Sequence, residues 1–297
     1  MEMVHARIGF DYVAPETLDA ALLTLRRNPD AVIIAGGTDL LPRWRSGLIQ
    51  PDLLIDLKRL GLNRIEAKAG RVCIGASTTI SQMMASELLN GQYPALIDAC
   101  KQIAAPPIRN RGTLGGNLVN ASPAADTAPP LLAYDAELVL VKEGCKRIVP
   151  LAEFYRGPGK TIMEHGELLT EVQLPINHRY TASKFLKLGN RQAMAIAVAS
   201  VAVQVSLDGN DEVLEARIAL GSVASTPIRA REAESILVGK PLSEETISRA
   251  ATIAQGEASP ISDLRAGKEY RGRMVTVLVR RALKAARAEL IGRKPGE

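Results

Sequence analysis

The chain has 297 residues, which is typical of two or three domains of roughly 100 to 150 residues each. Hydrophobic residues make up 46% but aromatic residues only 3%, so the core must be built from Ala, Val, Ile and Leu, and aromatic stacking platforms are scarce. The net charge of +5 is compatible with a nucleic acid, with an anionic cofactor or with solubility alone.

A small α/β unit is predicted for the first sixty residues. Residues 15–30 open with Pro15 and Glu16 and place apolar residues on one stripe, as in an amphipathic helix. The β-branched run at 32–34 leads into Gly36-Gly37, which predicts a buried strand entering a tight loop. Residues 53–57 predict another strand. The alternation of helix and strand favours parallel strands.

A hairpin and two helices are predicted next. Polar and apolar residues alternate across 64–78, with Ala69-Gly70 at the centre of the expected hairpin. A helix restarts near residue 80, capped by Thr78 or Thr79. Residues 94–104 form an amphipathic pattern that we expect to be ended by Pro106-Pro107.

Residues 108–141 are predicted to form a long loop-rich segment that leads into the strand AELVLV. A long loop rich in Gly, Asn, Ser, Asp and Pro is more often functional than idle. After residue 178 the pattern changes, because residues 200–223 predict two strands around Gly209-Asn210 and two helical stretches follow. We therefore place a domain boundary near Pro175.

Several classes of site and location are disfavoured by the sequence. The three cysteines and three histidines are scattered, so neither a disulfide framework nor a metal site is expected in this chain. No apolar run is long enough to span a bilayer and no signal peptide is visible at the amino terminus, so we expect a cytoplasmic protein. The basic stretch 265–293 is interpreted as a solvated helix face or a subunit contact rather than a nucleic-acid site.

The first candidate for a binding site is the run from residue 33 to residue 40. A glycine pair after a buried strand lets successive backbone N–H groups approach and cradle a phosphate. The run consists of Ile33, Ile34, Ala35, Gly36, Gly37, Thr38, Asp39 and Leu40. It matches neither the usual dinucleotide fingerprint nor the P-loop pattern, and a tight turn in which glycine serves only backbone shape is the competing interpretation.

The second candidate is the run from Gly112 to Asn117, followed by Asn120-Ala121-Ser122-Pro123 and by Asp126. Here a second glycine pair adjoins small hydrogen-bonding side chains, and the later carboxylate could accept hydrogen bonds from ribose hydroxyls. Two such loops could hold a pyrophosphate from opposite sides. Together they predict a nucleotide-sized anionic ligand without naming it.

The pair of segments AGGTDL and TLGGNLVNASPAADTAPPLLAYDAELVLV resembles the FAD-binding medium subunit of the xanthine dehydrogenase and carbon monoxide dehydrogenase family. The resemblance extends over essentially the whole chain and includes KFLKLGNRQAMAIAVASVAV near the start of the third part. It implies an α+β fold in which a two-part FAD-binding region, a small α/β subdomain plus a subdomain with a mixed or antiparallel sheet, precedes a carboxy-terminal domain with a three-stranded sheet and helices. The expected ranges are 1–60, 61–176 and 177–297.

The resemblance also implies which residues contact FAD. Residues 33 to 40 line the first loop, and Thr113, Gly116, Asn117 and Asp126 match the second block, with Asp126 on the ribose or diphosphate side. Ile103 and Ala104 correspond to a stretch beside the flavin nucleotide, and Leu169 and Lys187 match later contacts. No catalytic proton-transfer residue is expected in this chain.

Two departures from the family pattern stand out. Ile103 replaces the phenylalanine of some relatives, and the chain lacks the cysteine-rich insertion of the 4-hydroxybenzoyl-CoA reductase flavin subunit, which its first loop otherwise resembles. The resemblance implies a large partner with a molybdenum cofactor and a small partner with [2Fe-2S] clusters, assembled as a dimer of heterotrimers without nucleic acid or membrane. The alternatives are a self-sufficient FAD oxidoreductase and a non-catalytic binding module.

Overall fold

The computed structural model of the chain describes residues 9–177, 180–208 and 210–292. Most of its strands fall into three sheets of three, five and four strands, with short helices interspersed in chain order among the strands of the second sheet and long helices near the end of the described residues. Gly209, part of the predicted strand-connecting turn, and Arg293, the end of the basic stretch, lie outside the described residues.

The first sheet consists of three short parallel strands, which confirms the predicted α/β unit. In spatial order they are β1 (Asp11–Val13), β3 (Leu53–Asp56) and β2 (Val32–Ile34). The helix α1 (Leu18–Arg27) connects β1 to β2, and the Thr17 hydroxyl accepts a hydrogen bond from the Ala20 N–H at 3.2 Å. β1 carries no sequence signal of its own, since it has only three residues.

The loops that leave β2 and β3 emerge at the same edge of this sheet because the strands are parallel. After β2 comes the first glycine loop and then α2 (Leu40–Arg45), and after β3 comes a single 3₁₀ turn, Leu57–Arg59. Ligands of α/β sheets bind outside such carboxyl ends.

The second sheet is antiparallel and has five strands. The predicted hairpin is confirmed, since β4 (Ile65–Lys68) pairs with β5 (Arg71–Gly75) across Ala69 and Gly70, whose φ angles are 51° and 74°. The remaining strands follow in spatial order as β10 (Leu168–Pro175), β6 (Glu137–Lys142) and β7 (Cys145–Pro150).

Seven short helices and a two-stranded ribbon accompany the second sheet. The helices are α3 (Ile80–Ala85), α4 (Glu87–Gln92), α5 (Pro94–Gln102), α6 (Pro106–Arg109), α7 (Leu114–Val119), α8 (Ala128–Ala133) and α9 (Leu151–Phe154). The ribbon pairs β8 (Tyr155–Gly157) with β9 (Lys160–Thr161).

Two predictions about this region were right only in part: the strand AELVLV is present as β6 and the helix that starts at Pro94 is present as α5, but the long loop and the helix end were wrong. Residues 108–141 are not a long loop, because α7 and α8 lie within them: Thr113 caps α7, and the prolines of α8 stand in its first turn, where they need no N–H partner. The helix α5 ends at Gln102, before Pro106-Pro107, and the prolines open α6 instead. Ala104, with φ of 40°, turns the chain between these two helices.

The third sheet contains the three predicted strands and one short addition. β11 (Thr181–Gly189), β12 (Ala197–Leu207) and β13 (Val213–Gly221) are antiparallel neighbours, and the two-residue strand β14 (Ile228–Arg229) extends the edge. A strand of two residues has no periodicity to reveal it. The helices α10 (Arg231–Ser235), α11 (Glu244–Glu257) and α12 (Lys268–Gly292) follow.

The central strand β12 is buried on both faces. Val201, Val203 and Val205 belong to an apolar cluster shared with α11 and α12, whereas Ala202 belongs to the cluster of the second sheet. The third sheet therefore packs against the preceding part of the chain. None of the helices in the described ranges combines the length and apolar character needed to cross a bilayer.

The buried apolar residues of the described ranges form three clusters. One lies around α1 and β3, one around the second sheet and its helices, and one around the third sheet and α12. The first also takes in Leu168 from β10, so the clusters do not follow chain order strictly. The division at residues 60 and 176 stays a prediction.

Arg271, at the start of α12, is buried and connects the third sheet to its surroundings. Its Nη1 donates to the carbonyls of Val198 at 3.0 Å and Ser222 at 2.9 Å, and its Nη2 donates to Asp263 at 2.5 Å. The Ser222 N–H in turn donates to Pro123 O at 2.9 Å, in the segment before α8. One guanidinium thus holds the start of β12, the end of β13 and the loop that contains Asp263.

We expect Arg271→Met to lower the free energy of unfolding by about 2–4 kcal/mol, because it leaves buried carbonyls and a carboxylate without their donor. Urea unfolding of the purified chain measures the change. The matched control is Arg273→Met, an exposed arginine of the same helix. Equal losses in the two variants would contradict the assignment.

Candidate functional site: a cavity between two glycine loops

A cavity of about 400 Å³ lies where the carboxyl edge of the first sheet meets α7 and β10. Twelve of the sixteen predicted contact residues line it. They are Ile33, Ala35, Gly36, Gly37, Thr38, Asp39, Leu40, Ile103, Thr113, Gly116, Asn117 and Leu169. Four predicted residues, Ile34, Ala104, Asp126 and Lys187, are not part of this lining.

The two glycine loops touch through their backbones. A Cβ atom built on Gly36 would lie 2.0 Å from the carbonyl oxygen of Arg111, a distance that no real side chain tolerates. A Cβ on Gly112 would lie 3.5 Å from Oγ1 of Thr38. The first glycine of the pair is therefore required by the close approach of the second loop.

The first loop presents backbone donors that the protein itself does not use. Within the described residues, the N–H groups of residues 36 to 40 donate to no protein acceptor, whereas the Leu41 N–H donates to Gly37 O at 3.0 Å. Gly37 has φ of 72°, in the left-handed region that favours glycine, and the side chain of Ile34 lies beneath it. Consecutive free amides of this kind form an anion-binding concavity.

The second loop differs, because its backbone donors are engaged. The N–H groups of Leu114 and Gly115 donate to the carbonyls of Thr78 and Ala76, and the Gly116 N–H donates to the Thr113 hydroxyl at 3.1 Å. Gly115 is packed so closely that an added Cβ would meet Ala76 at 2.8 Å. The second glycine pair thus fixes α7 against the end of β5, and its amides are already engaged within the protein.

Asn117 contributes a side-chain donor. Its Oδ1 accepts a hydrogen bond from the Thr127 hydroxyl at 2.6 Å, which orients the amide so that Nδ2 is the remaining polar end. Nδ2 donates to no acceptor in the described part of the chain. Since Asn117 lines the cavity, its amide is available to a ligand there.

Asp126 and Lys187 form a buried ion pair outside the lining. Lys187 Nζ lies 2.5 Å from Asp126 Oδ2 and also donates to Gln102 O at 3.2 Å, one residue from the cavity wall at Ile103. Asp126 Oδ1 is buried and receives no hydrogen bond from the described residues. Burial raises the pKa of Asp126 to about 6, against the opposing effect of Lys187.

The other half of the lining lies outside the sixteen predicted contacts. These residues are Arg43, Leu57, Ala76, Ser77, Ile80, Ile108, Gly112, Gly115, Val119, Asn120, Met163 and Leu168. Most are apolar and come from elements far apart in sequence, so no local motif marks them. Gly112, Gly115 and Asn120 are exceptions, since they belong to the second candidate segment.

The cavity wall carries little charge. Among the described residues that line it, Asp39 and Arg43 are the ionisable ones, and they lie 3.6 Å apart with about half of each side chain exposed. No group of three or more His, Cys, Asp or Glu residues in the described ranges could hold a metal ion. The arrangement provides amides, hydroxyls and an apolar wall, which suit a nucleotide cofactor.

Two known protein families together match nearly the whole chain. Residues 8–177 match the FAD binding domain in molybdopterin dehydrogenase, and residues 184–286 match the CO dehydrogenase flavoprotein C-terminal domain. The chain is 35% identical over 279 residues to the carbon monoxide dehydrogenase medium chain of Hydrogenophaga pseudoflava, covering 93% of this chain and 96% of that one.

Two further relatives agree. The glyceraldehyde dehydrogenase medium chain of Sulfolobus acidocaldarius is 33% identical, with 93% of this chain and 97% of that chain covered. In the solved structure of CO dehydrogenase from Oligotropha carboxidovorans, one chain superposes with a TM-score of 0.91 at 34% identity, covering 94% of this chain and 98% of that one. The protein therefore belongs to the family of FAD-binding medium subunits of molybdenum-containing dehydrogenases, and it is an oxidoreductase subunit whose cofactor is FAD.

Proposed function

We propose that FAD occupies the cavity with its pyrophosphate on the amides of residues 36 to 40. In this arrangement the chain carries electrons between iron–sulfur clusters of a small partner subunit and an external acceptor or donor. When bound, FAD supplies two-electron chemistry at its isoalloxazine ring. The residues of this chain bind it, orient it and exclude water from it.

The observation that carries the proposal is the row of N–H groups without protein acceptors. The amides of residues 36 and 37 continue into those at the start of α2, and together they form a row at the cavity that an anionic ligand would satisfy. The second loop supports this by holding the first in place through Gly36. Arg43, also in the lining, contributes a positive charge that the carboxylate of Asp39 partly offsets.

Two polar groups outside the first loop fit the sugar and hydroxyl parts of the cofactor. Asp126 has a buried oxygen without a donor, which a ribose hydroxyl would satisfy, and Asn117 offers its Nδ2 from the cavity wall. Lys187 keeps the carboxylate of Asp126 oriented from the third sheet. We therefore retain all sixteen predicted contacts as proposed FAD neighbours, twelve of them directly in the cavity.

The residues that select the organic substrate lie, in this proposal, on another subunit of the complex. The relatives at 33–35% identity are medium chains or FAD subunits of enzymes named for carbon monoxide, glyceraldehyde and xanthine, although their flavin chains are alike. We infer a large molybdenum-cofactor subunit that selects the substrate and a small [2Fe-2S] subunit, assembled in the cytoplasm as a dimer of heterotrimers. This favours a subunit over a self-sufficient flavin oxidoreductase.

We expect Gly36→Ala to weaken FAD binding at least about tenfold, because the added methyl forces the two loops apart. Titration of the FAD-free chain with FAD, followed by flavin fluorescence, measures the dissociation constant. Gly91→Ala is the matched control, since a Cβ on Gly91 meets nothing within 4 Å. A wild-type chain that binds no FAD would refute the proposed site, as would unchanged binding in Gly36→Ala.

The raised pKa of Asp126 predicts a pH dependence of the FAD-free chain. Because this carboxyl has a pKa of about 6 in the folded chain and an ordinary pKa near 3.8 otherwise, the folded state holds a proton that the unfolded state has released. The free energy of unfolding should therefore fall as pH rises from about 4 to about 6.

Urea unfolding across that pH range tests the expectation. Asp126→Asn should remove this part of the pH dependence, while the exposed control Asp30→Asn should retain it. If the wild type and Asp126→Asn change in parallel with pH, the assignment of the buried proton to Asp126 is wrong.

Co-expression with the neighbouring subunits should yield one particle that contains two copies of each chain. Light scattering after size-exclusion chromatography gives its molar mass, and denaturing electrophoresis gives the subunit ratio. A mass that corresponds to a single copy of each subunit would contradict the dimer of heterotrimers and leave the FAD site unaffected.

A further inference from the structure

The turn between α5 and α6 is held by two cationic side chains. Lys187 Nζ donates to Gln102 O at 3.2 Å, and Arg109 Nη1 donates to Ile103 O at 2.8 Å and to Ala104 O at 3.1 Å. Three consecutive carbonyls thus accept hydrogen bonds from side chains. Arg109 reaches back from α6, five residues beyond the alanine it holds.

This turn needs such support because its backbone is strained. Ala104 has φ of 40°, in the left-handed region that residues with a Cβ seldom adopt. Pro106 and Pro107 follow, and neither has an N–H to offer the turn. The N–H groups of Ile108 and Arg109 both donate to Ala105 O. Among the described residues, the carbonyls of Ile103 and Ala104 therefore depend on Arg109.

The turn also forms part of the cavity. Ile103 and Ile108, on either side of the prolines, line it, and Arg111 just after α6 is the residue that Gly36 packs against. Arg109 lies within this segment, between the wall residue Ile103, whose carbonyl it holds, and the contact with the first glycine loop at Arg111.

We propose that Arg109 is a positioning residue for the flavin cofactor: by holding Ala104 in the left-handed conformation it keeps Ile103 against the cavity and the second loop in register with the first. The inference rests on the proposed FAD site and deepens it. Lys187, on the third sheet, holds the neighbouring carbonyl of Gln102, whereas Arg109 acts from α6, next to the turn itself.

The direct test is Arg109→Met in the full chain, which removes both donors and keeps an unbranched side chain. At a temperature where circular dichroism shows wild type and variant fully folded, FAD affinity should fall at least about tenfold, as expected for the loss of charge-assisted hydrogen bonds. The visible circular dichroism of the bound flavin should change as well, since it reports the asymmetry of the ring's surroundings.

A second substitution separates positioning from general stability. Ala104→Gly in the Arg109→Met background should recover much of the lost affinity, because glycine adopts the left-handed turn without help. It should not recover stability to the same extent, since glycine also increases the freedom of the unfolded chain. Arg249→Met, an exposed arginine of α11, is the charge-matched control and should bind FAD like the wild type.

The outcomes are distinguishable. Wild-type affinity and wild-type flavin dichroism in Arg109→Met overturn this inference alone, as does a loss that Ala104→Gly leaves unchanged. A wild-type chain that binds no FAD overturns the proposed site and this inference together. If Arg109→Met does not fold, Arg109→Lys serves instead: it keeps the positive charge but loses the guanidinium, and a smaller loss, again reversed by Ala104→Gly, is expected.

Discussion

The contact between the backbones of the two glycine loops is the constraint on which the site depends. Gly36 approaches the Arg111 carbonyl so closely that any side chain would separate them, and Thr38 lies beside Gly112. This contact joins the first, parallel sheet to the helices that accompany the second sheet. It also sets the direction of the free N–H groups of residues 36 to 40, because those groups follow directly from the glycine that makes the contact.

Where structure depends on neighbours in sequence, it could be predicted. The apolar stripe of α1, the Ala69-Gly70 hairpin and the glycine pair after β2 are local patterns, and all three are present. The second glycine run also stands at the cavity, but its pattern did not reveal its role. Its amides donate hydrogen bonds within the protein, and the sequence alone does not distinguish such an amide from a free one.

Features that depend on distant residues could not be predicted. The left-handed Ala104 has no sequence signal, because its conformation is maintained by Arg109 and by the proline pair rather than by its own preference. The pairing of Lys187 with Asp126 joins residues that are 61 positions apart. The apolar wall residues Leu57 and Met163 resemble any other core residue until the fold brings them to one cavity.

The position of Lys187 on β11 has a thermodynamic consequence. Its ammonium reaches Asp126 and Gln102 in the preceding part of the chain, so the ion pair beside the cavity forms only when the third sheet is docked. A ligand that binds only the docked arrangement stabilises it in proportion to the logarithm of its free concentration. In the proposed arrangement FAD therefore stabilises the docking of the third sheet, and the free concentration of the cofactor sets how firmly the carboxy-terminal part is held.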